Sequence, residues 1–368
     1  GESPRSLLLA YIFAKLKCDV YICDISKISN NDNQIFLFSN FLKNLLIKFE
    51  IWNQFEQISY SFNSLCIKDN LFSEQLLIRP ENISKNYNNN IGWTANYSDI
   101  KRLLINQLLN FDNVHFISMN QLIDKTLKFE YEFNFNNINF SNSYKFPLSC
   151  MERIDKQVLI FNVSLRGNVE KRMYEVNTSD GLLILTPINK NFYQIIWNNP
   201  SNQITDRASS SKSFFLDNLT NLIPSELKID QIIGDIKFIY FRNILPIYLT
   251  NKNLIYFNEN IFKSNLLYDF YFESFIKNIH QLYNLFENNK FKNIKIPNKF
   301  RFNYLLKKYL EFLINYSSYT SLINIFILKN RYLLFIRKLF FIILIKVNLF
   351  KTFFLRLLTN LNIINLIK

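Results

Sequence analysis

Three small residues open the sequence at a spacing that suits a phosphate-binding turn. Gly1, Ser3 and Ser6 occupy the first, third and sixth places of a six-residue segment. A dinucleotide-binding β-α-β unit wants glycines there, so that the backbone turns tightly, approaches a pyrophosphate and packs the helix on the sheet. Asp24 stands about twenty residues further on, where an acid would hydrogen-bond a ribose. A β-α-β unit that binds nothing satisfies the same pattern, and on these residues alone both readings stay open. Other chemistry finds little support. The four cysteines, Cys18, Cys23, Cys66 and Cys150, have no C-x-x-C spacing, and only His115 and His280 could join them, so no metal site is expected. Neither histidine sits in a recognisable nucleophile context. Buried, reduced thiols are the expectation for the cysteines.

The elements that must hold this turn are legible in the hydrophobic pattern. An apolar-periodic stretch runs to about Leu16, followed by Asp19-Val20-Tyr21-Ile22-Cys23-Asp24, which reads as helix and then a short buried strand. Helical patterning returns over Phe36 to Trp52 and Ser98 to Asn110, with strands near Ser64 to Lys68 and Leu76 to Ile78. Alternating aromatic and polar residues from Phe129 to Phe140 predict a hairpin. Continuous apolar runs over Gln157 to Leu165, Gly181 to Pro187 and Tyr193 to Trp197 predict strands of a sheet covered on at least one face. Ser213 to Leu222 reads as a helix ended by Pro224, Leu254 to Phe257 as a strand, and Tyr268 to Phe286 and everything from about Arg301 as helix. No repeat of fixed period is present.

At 368 residues the chain is long enough for a large core without disulfides or metals. Its apolar share is unusually aromatic, with 38 Phe and 20 Tyr against only 5 Gly. The net charge of +14 predicts attraction to an anionic surface. Beyond Phe291 the only acidic residue is Glu311, and the Lys and Arg there sit among Leu, Ile and Phe. That mixture favours a membrane surface over nucleic acid. Arg337, Lys338, Lys346, Lys351 and Arg356 interrupt the apolar tail, against a spanning helix of about 20 apolar residues. Core helices with snorkelling lysines and an interfacial helix both fit. No signal peptide is read, and whether a segment precedes Gly1 is left open.

Val163-Ser164-Leu165-Arg166-Gly167, Tyr174-Glu175, Ser179-Asp180-Gly181-Leu182-Leu183-Ile184-Leu185-Thr186-Pro187 and Tyr193-Gln194-Ile195-Ile196-Trp197 together look like the middle domain of flavin-dependent aromatic hydroxylases of the ubiquinone-biosynthesis type. There a "GPLALLPL" strand and a strand ending in "VW" line the substrate side of the flavin. Gly1 to Asp24 aligns with that family's FAD fingerprint, and Ile91-Gly92-Trp93 falls at its "GYIVEN" segment. The resemblance implies a mixed α/β, para-hydroxybenzoate-hydroxylase-like fold. Residues 1–155 and 251–300 would form an FAD/NAD(P)-binding Rossmann-like domain, 156–250 an interleaved β-sheet substrate domain, and 301–368 a basic helical C-terminus. It implies an FAD-dependent monooxygenase that hydroxylates a polyprenylated aromatic quinone precursor, with NAD(P)H as reductant. FAD would be held by Gly1, Ser3, Ser6, Asp24 and Glu259, and the substrate would meet Gly181, Leu183, Leu185, Pro187 and Trp197. No catalytic side chain is assigned, because the chemistry is the cofactor's. Expected partners are a lipid-soluble aromatic substrate, the membrane surface and other quinone-biosynthesis proteins, not nucleic acid, at a cytoplasmic, peripherally membrane-associated location.

The family's second flavin motif, G-D-A-x-H-x-x-x-P-x-x-G-Q-G-x-N, is altered here. Asn258 and Glu259 fall at its Gly-Asp, Phe262 at its His, Leu266 at its Pro and Asp269-Phe270-Tyr271 at its Gly-Gln-Gly. Glycine lets backbone approach the flavin ring with no Cβ in the way, and Asp269 and Tyr271 would fill that space. Gln34 stands near a family arginine, and no Ala-Asp-Gly segment lies between Glu132 and Cys150. The alternative is therefore a flavin-free relative that binds a prenylated lipid or scaffolds quinone-biosynthesis partners at the membrane.

Overall fold

The computed structural model describes residues 3–23, 35–70, 75–82, 90–118, 129, 132–134, 152–167, 170–178, 180–198, 205–206, 208, 212–224, 226–243, 250–251, 254–256, 279–280, 283–284, 335, 338–339, 342–343 and 345–347. Helix α1 (Pro4–Lys15) begins where Ser3, in extended conformation, caps it, and Pro4 supplies the preset φ of a first helical turn. Every residue from Pro4 to Ala14 is buried, as an apolar-all-round helix must be. Lys17, at φ 61°, ends it in the left-handed region. Asn113 Nδ2 donates to the carbonyls of Ala14 (3.0 Å) and Cys18 (2.6 Å), satisfying acceptors that the helix end leaves open. The chain then enters strand β1 (Val20–Cys23).

Strand β2 (Ile35–Ser39) leads into α2 (Asn40–Lys48), capped by Ser39, and α3 (Trp52–Gln57) follows. The helical pattern expected over Phe36 to Trp52 is thus corrected. Ile35, Phe36 and Phe38 are buried strand residues, and the β-branched and aromatic run pairs laterally before the cap residue starts a helix. Next come β3 (Tyr60–Phe62), β4 (Ser64–Asp69), β5 (Gln75–Ile78), a 3₁₀ turn over Pro80–Asn82, β6 (Gly92–Asn96), α4 (Tyr97–Leu108) and β7 (Val114–Ile117). Strands β2, β6 and β3 form a small antiparallel sheet with β6 central, while β1 and β7 pair in parallel. Helices α1 and α4 and the β2–β6 sheet enclose one core around Leu7, Leu8, Phe38, Phe55, Trp93 and Ile100, which Ile279 also enters.

The remaining strands are β8 (Glu132–Asn134), β9 (Glu152–Arg166), β10 (Arg172–Thr178), β11 (Gly181–Pro187), β12 (Phe192–Asn198), β13 (Lys228–Asn243), β14 (Thr250–Asn251) and β15 (Leu254–Tyr256), with α5 (Lys212–Leu222) between β12 and β13. Seven strands make the large sheet, in the order β13-β9-β12-β11-β10-β4-β5. All its pairs are antiparallel except β10 with β4. Strands β4 and β5, which fall within the first expected domain, thus complete the sheet expected to belong to 156–250. β13 holds its register against β9 only through shifts, one of them spanning Gly234 at φ 75°.

Of the expected 129–140 hairpin, residues 132–134 are described as a strand. They pair in parallel with β15. The 268–286 segment is described only at 279–280 and 283–284, all helical, and the tail's described positions from 335 to 346 are helical as well. Among the described residues no helix is long and apolar enough to cross a membrane.

Candidate functional site

Of the five residues expected to hold a cofactor, Gly1, Asp24 and Glu259 lie outside the described residues. Ser3 and Ser6 are brought together at the start of α1. Ser3 Oγ accepts from the Ser6 amide at 3.3 Å, and Ser6 Oγ donates back to the Ser3 carbonyl at 2.8 Å. The Ser6 side chain therefore folds onto its own helical turn. The first turn carries no acidic residue, and Arg5 is only 7% exposed, with its guanidinium 5.9 Å from the centre of the Phe36 ring. A helix N-terminus, small side chains and a buried guanidinium suit an anionic group such as a pyrophosphate.

The large sheet has two unlike faces, set by the two-residue period of its strands. Leu183, Leu185 and Trp197 are fully buried on the face covered by α5, in one cluster with Phe161, Tyr193 and Phe215. Trp197 lies 5.8 Å from Phe215, ring centre to ring centre, and its indole N–H donates to the Asp180 carbonyl at 2.8 Å. These three expected substrate-side residues thus lie in the core beneath α5. Gly181 has φ 110° at the tight turn into β11, where the Thr178 hydroxyl donates to its carbonyl. Pro187 ends the strand and accepts from Thr94 Oγ1 at 2.6 Å.

The opposite face turns toward the N-terminal unit. Leu65, Ile67, Met173, Leu182 and Ile184 there meet Phe62, with Leu37 and Ile91 packed alongside. Across this face runs a polar row. Thr186 opposes Gln194, and Gln194 opposes Asn162. Gln194 Nε2 donates to Asn162 Oδ1 at 3.3 Å. Thr186 and Gln194 are 7% and 2% exposed. Ser164, two residues along β9, is buried, and among the described residues its hydroxyl has no hydrogen-bond partner. Buried polar groups in an apolar sheet are normally satisfied, so the Ser164 hydroxyl marks a place on this face where a polar ligand group could be received. The sequence signal that could have found it is Thr186 and Gln194, the polar residues within otherwise apolar strands.

Titratable groups cluster at the β4–β10 pairing. Arg172 donates from Nε to Ser64 Oγ (3.2 Å) and pairs with Glu226 (3.2 Å) and Glu170. The Tyr193 hydroxyl donates to the carbonyls of Glu170 (3.1 Å) and Arg172 (3.0 Å). Burial raises Tyr193 and Tyr174 above the usual phenol range and pushes the Cys66 thiol up to about 11. All three stay protonated near neutrality, so none of the three supplies a base there, and their contacts with Arg172 and its neighbours tie the strands together. Among the described residues no group of three metal-ligating side chains exists.

No family model matches the chain, and no curated protein matches it. Solved structures share its fold. The p-nitrophenol 4-monooxygenase PnpA from Pseudomonas putida DLL-E4 superposes with a TM-score of 0.71 over 95% of this chain and 93% of that chain, at 9% identity. PqsL, a probable FAD-dependent monooxygenase from Pseudomonas aeruginosa, gives 0.66 over 89% and 95% at 10% identity. Xcc4156, a flavin-dependent halogenase from Xanthomonas campestris, gives 0.61 over 84% and 73% at 9% identity. The chain has the mixed α/β fold of these proteins.

Proposed function

We propose that this chain is an FAD-dependent monooxygenase acting on an aromatic quinone precursor with a polyprenyl tail, with NAD(P)H as reductant. The observation that carries the reading is the likeness in fold to a p-nitrophenol 4-monooxygenase over 95% of the chain. The resemblance of residues 163 to 197 to ubiquinone-type hydroxylases supports the substrate class. The start of α1, with Ser3, Ser6 and the nearby Arg5, would hold the cofactor's pyrophosphate, and Asp24 and Glu259 its ribose and ribityl regions. Bound FAD supplies the oxygen-activating chemistry.

The protein's own residues bind, orient and exclude water. Thr186, Gln194 and Asn162 offer hydroxyl and amide groups to a phenolic oxygen on the face turned toward the N-terminal unit. Ile184 and Ile196, two pairs along in register and on the same face, present apolar surface to the ring or tail. Such a row reads orientation, because a substrate that leaves its buried polar groups unpaired loses affinity.

One observation favours the flavin-free alternative: Ser3 Oγ already accepts from the Ser6 amide, a donor a pyrophosphate would otherwise recruit. In that reading the sheet face holds a prenylated lipid or the chain scaffolds quinone-biosynthesis partners. The visible absorption spectrum of protein incubated with FAD and freed of excess separates the two. Bound flavin bands at near-stoichiometric level support the monooxygenase, and their absence at high FAD concentration refutes it.

A further inference from the structure

Among the described residues of the tail, four large apolar side chains face solvent in a row. Phe335, Leu339, Ile343 and Val347 are 64%, 43%, 39% and 40% exposed. They follow one another at every fourth residue, so at about 100° per residue they wind a continuous stripe along one side of a helix. The bond from the Val347 amide to the Ile343 carbonyl, 2.9 Å, carries the helical pattern to the end of the stripe. Ile345 points the other way and packs against the cluster formed by Phe62, Leu65 and Ile67. The helix is thus seated on the protein by one side and presents a second apolar side outward. A contiguous exposed apolar patch of this kind marks an interaction surface.

Its charge identifies the occupant. Lys338 and Lys346 are exposed beside the stripe. From Lys329 to Lys368 the sequence has eight Lys or Arg and no Asp or Glu. An anionic bilayer matches both features at once, since acyl chains take the apolar stripe and headgroup phosphates take the ammonium groups. An uncharged apolar partner would leave the lysines unmatched. The stripe is about 18 Å long at the α-helical rise, too short to span a bilayer and suited to lying in its interface.

We infer that the face carrying Phe335, Leu339, Ile343 and Val347 docks the protein on anionic membrane surfaces. The inference goes beyond the oxygenase reading and holds with or without flavin. The test is sedimentation of the full chain with phosphatidylcholine vesicles, with and without phosphatidylglycerol, compared with the double variant Leu339→Glu, Ile343→Glu. Both positions face solvent, so the variant is expected to fold, as circular dichroism checks. The expected result is binding that requires phosphatidylglycerol, weakens as salt rises and falls roughly tenfold or more in the variant. Equal sedimentation without phosphatidylglycerol, or none by the parent chain, overturns the inference. So does a parent dimer that the variant dissolves without any vesicle binding, which assigns the stripe to a second copy. Lys338→Glu with Lys346→Glu gives an independent reading: unchanged binding overturns it, and loss of several-fold per charge supports it.

Discussion

Thr94 Oγ1 donates to the carbonyl of Pro187 at 2.6 Å, so a single buried hydroxyl joins the central strand of the small sheet to the end of β11. Thr94 is 1% exposed, and water has no ready access to replace the bond. Thr94→Val keeps the shape and removes the donor, leaving the Pro187 carbonyl without it. The expected loss is about 1–3 kcal/mol in urea unfolding, with Thr94→Ser largely restoring stability. Equal midpoints for the parent and the valine variant would show that the bond does not couple the two sheets.

Two residues earlier on the same strand, Gly92 sits where a Cβ would come within 2.6 Å of Phe62 Cζ and 3.0 Å of the Phe38 carbonyl oxygen. Phe62 is 2% exposed and has little room to retreat. Gly92→Ala is expected to cost about 1–3 kcal/mol through overpacking, and a Gly92→Ala, Phe62→Leu double variant to recover part of it. Thermal melts of the three proteins provide the check.

High pH should weaken the fold. Burial raises Cys66, Tyr174 and Tyr193 above their ordinary values, so in the folded chain each keeps its proton while the unfolded chain begins to release it. Their contribution is complete below the unfolded values and is lost as pH rises through the folded ones. For Cys66 that window runs from the thiol's ordinary value of 9.0 to about 11. Each group contributes a decline of about 1.4 kcal/mol per pH unit within its window. Cys66→Ala should show a shallower decline over that interval when urea midpoints are followed against pH; an unchanged slope would remove the thiol from the account.

The two faces of β11 and β12 should answer differently to substitution. Leu183→Ala opens a cavity beneath α5 and is expected to cost about 2–5 kcal/mol. Gln194→Leu removes one polar member of the row and, on the monooxygenase reading, is expected to lower kcat/KM roughly tenfold. Steady-state kinetics and urea midpoints measured on both variants test the assignment. A Gln194→Leu enzyme with full kcat/KM would clear the row of a role in the substrate site.

Much of the fold was legible because several elements carry strong local signals. The order of α1 and β1, the helix after Tyr97 and strands β4, β5, β11 and β12 follow from period and run length alone. Local signals failed where pairing is decided at a distance. Ile35 to Phe38 become strand because β6 is there to receive them, and β13, with its register shifts and Gly234, shows no clean alternation. The site was harder to read than the fold. In an apolar run such as Gly181 to Thr186 both faces are buried, so composition does not reveal which parity lies beneath the helix. Local pattern therefore does not separate Leu183 and Leu185, beneath the helix, from Leu182 and Ile184 on the other face.

The pairing of β4 with β10 has a consequence for the chain during its synthesis. Ser64 and Arg172, opposite each other in register, are 108 residues apart in sequence. At about 5–20 residues per second, β4 waits several seconds or longer beside the ribosome with an apolar edge and no neighbour on that side. Exposed strand edges of this kind recruit other chains. Production of the protein should therefore depend on elongation speed and on holdase chaperones, and a piece cut anywhere between the two strands should accumulate as aggregate.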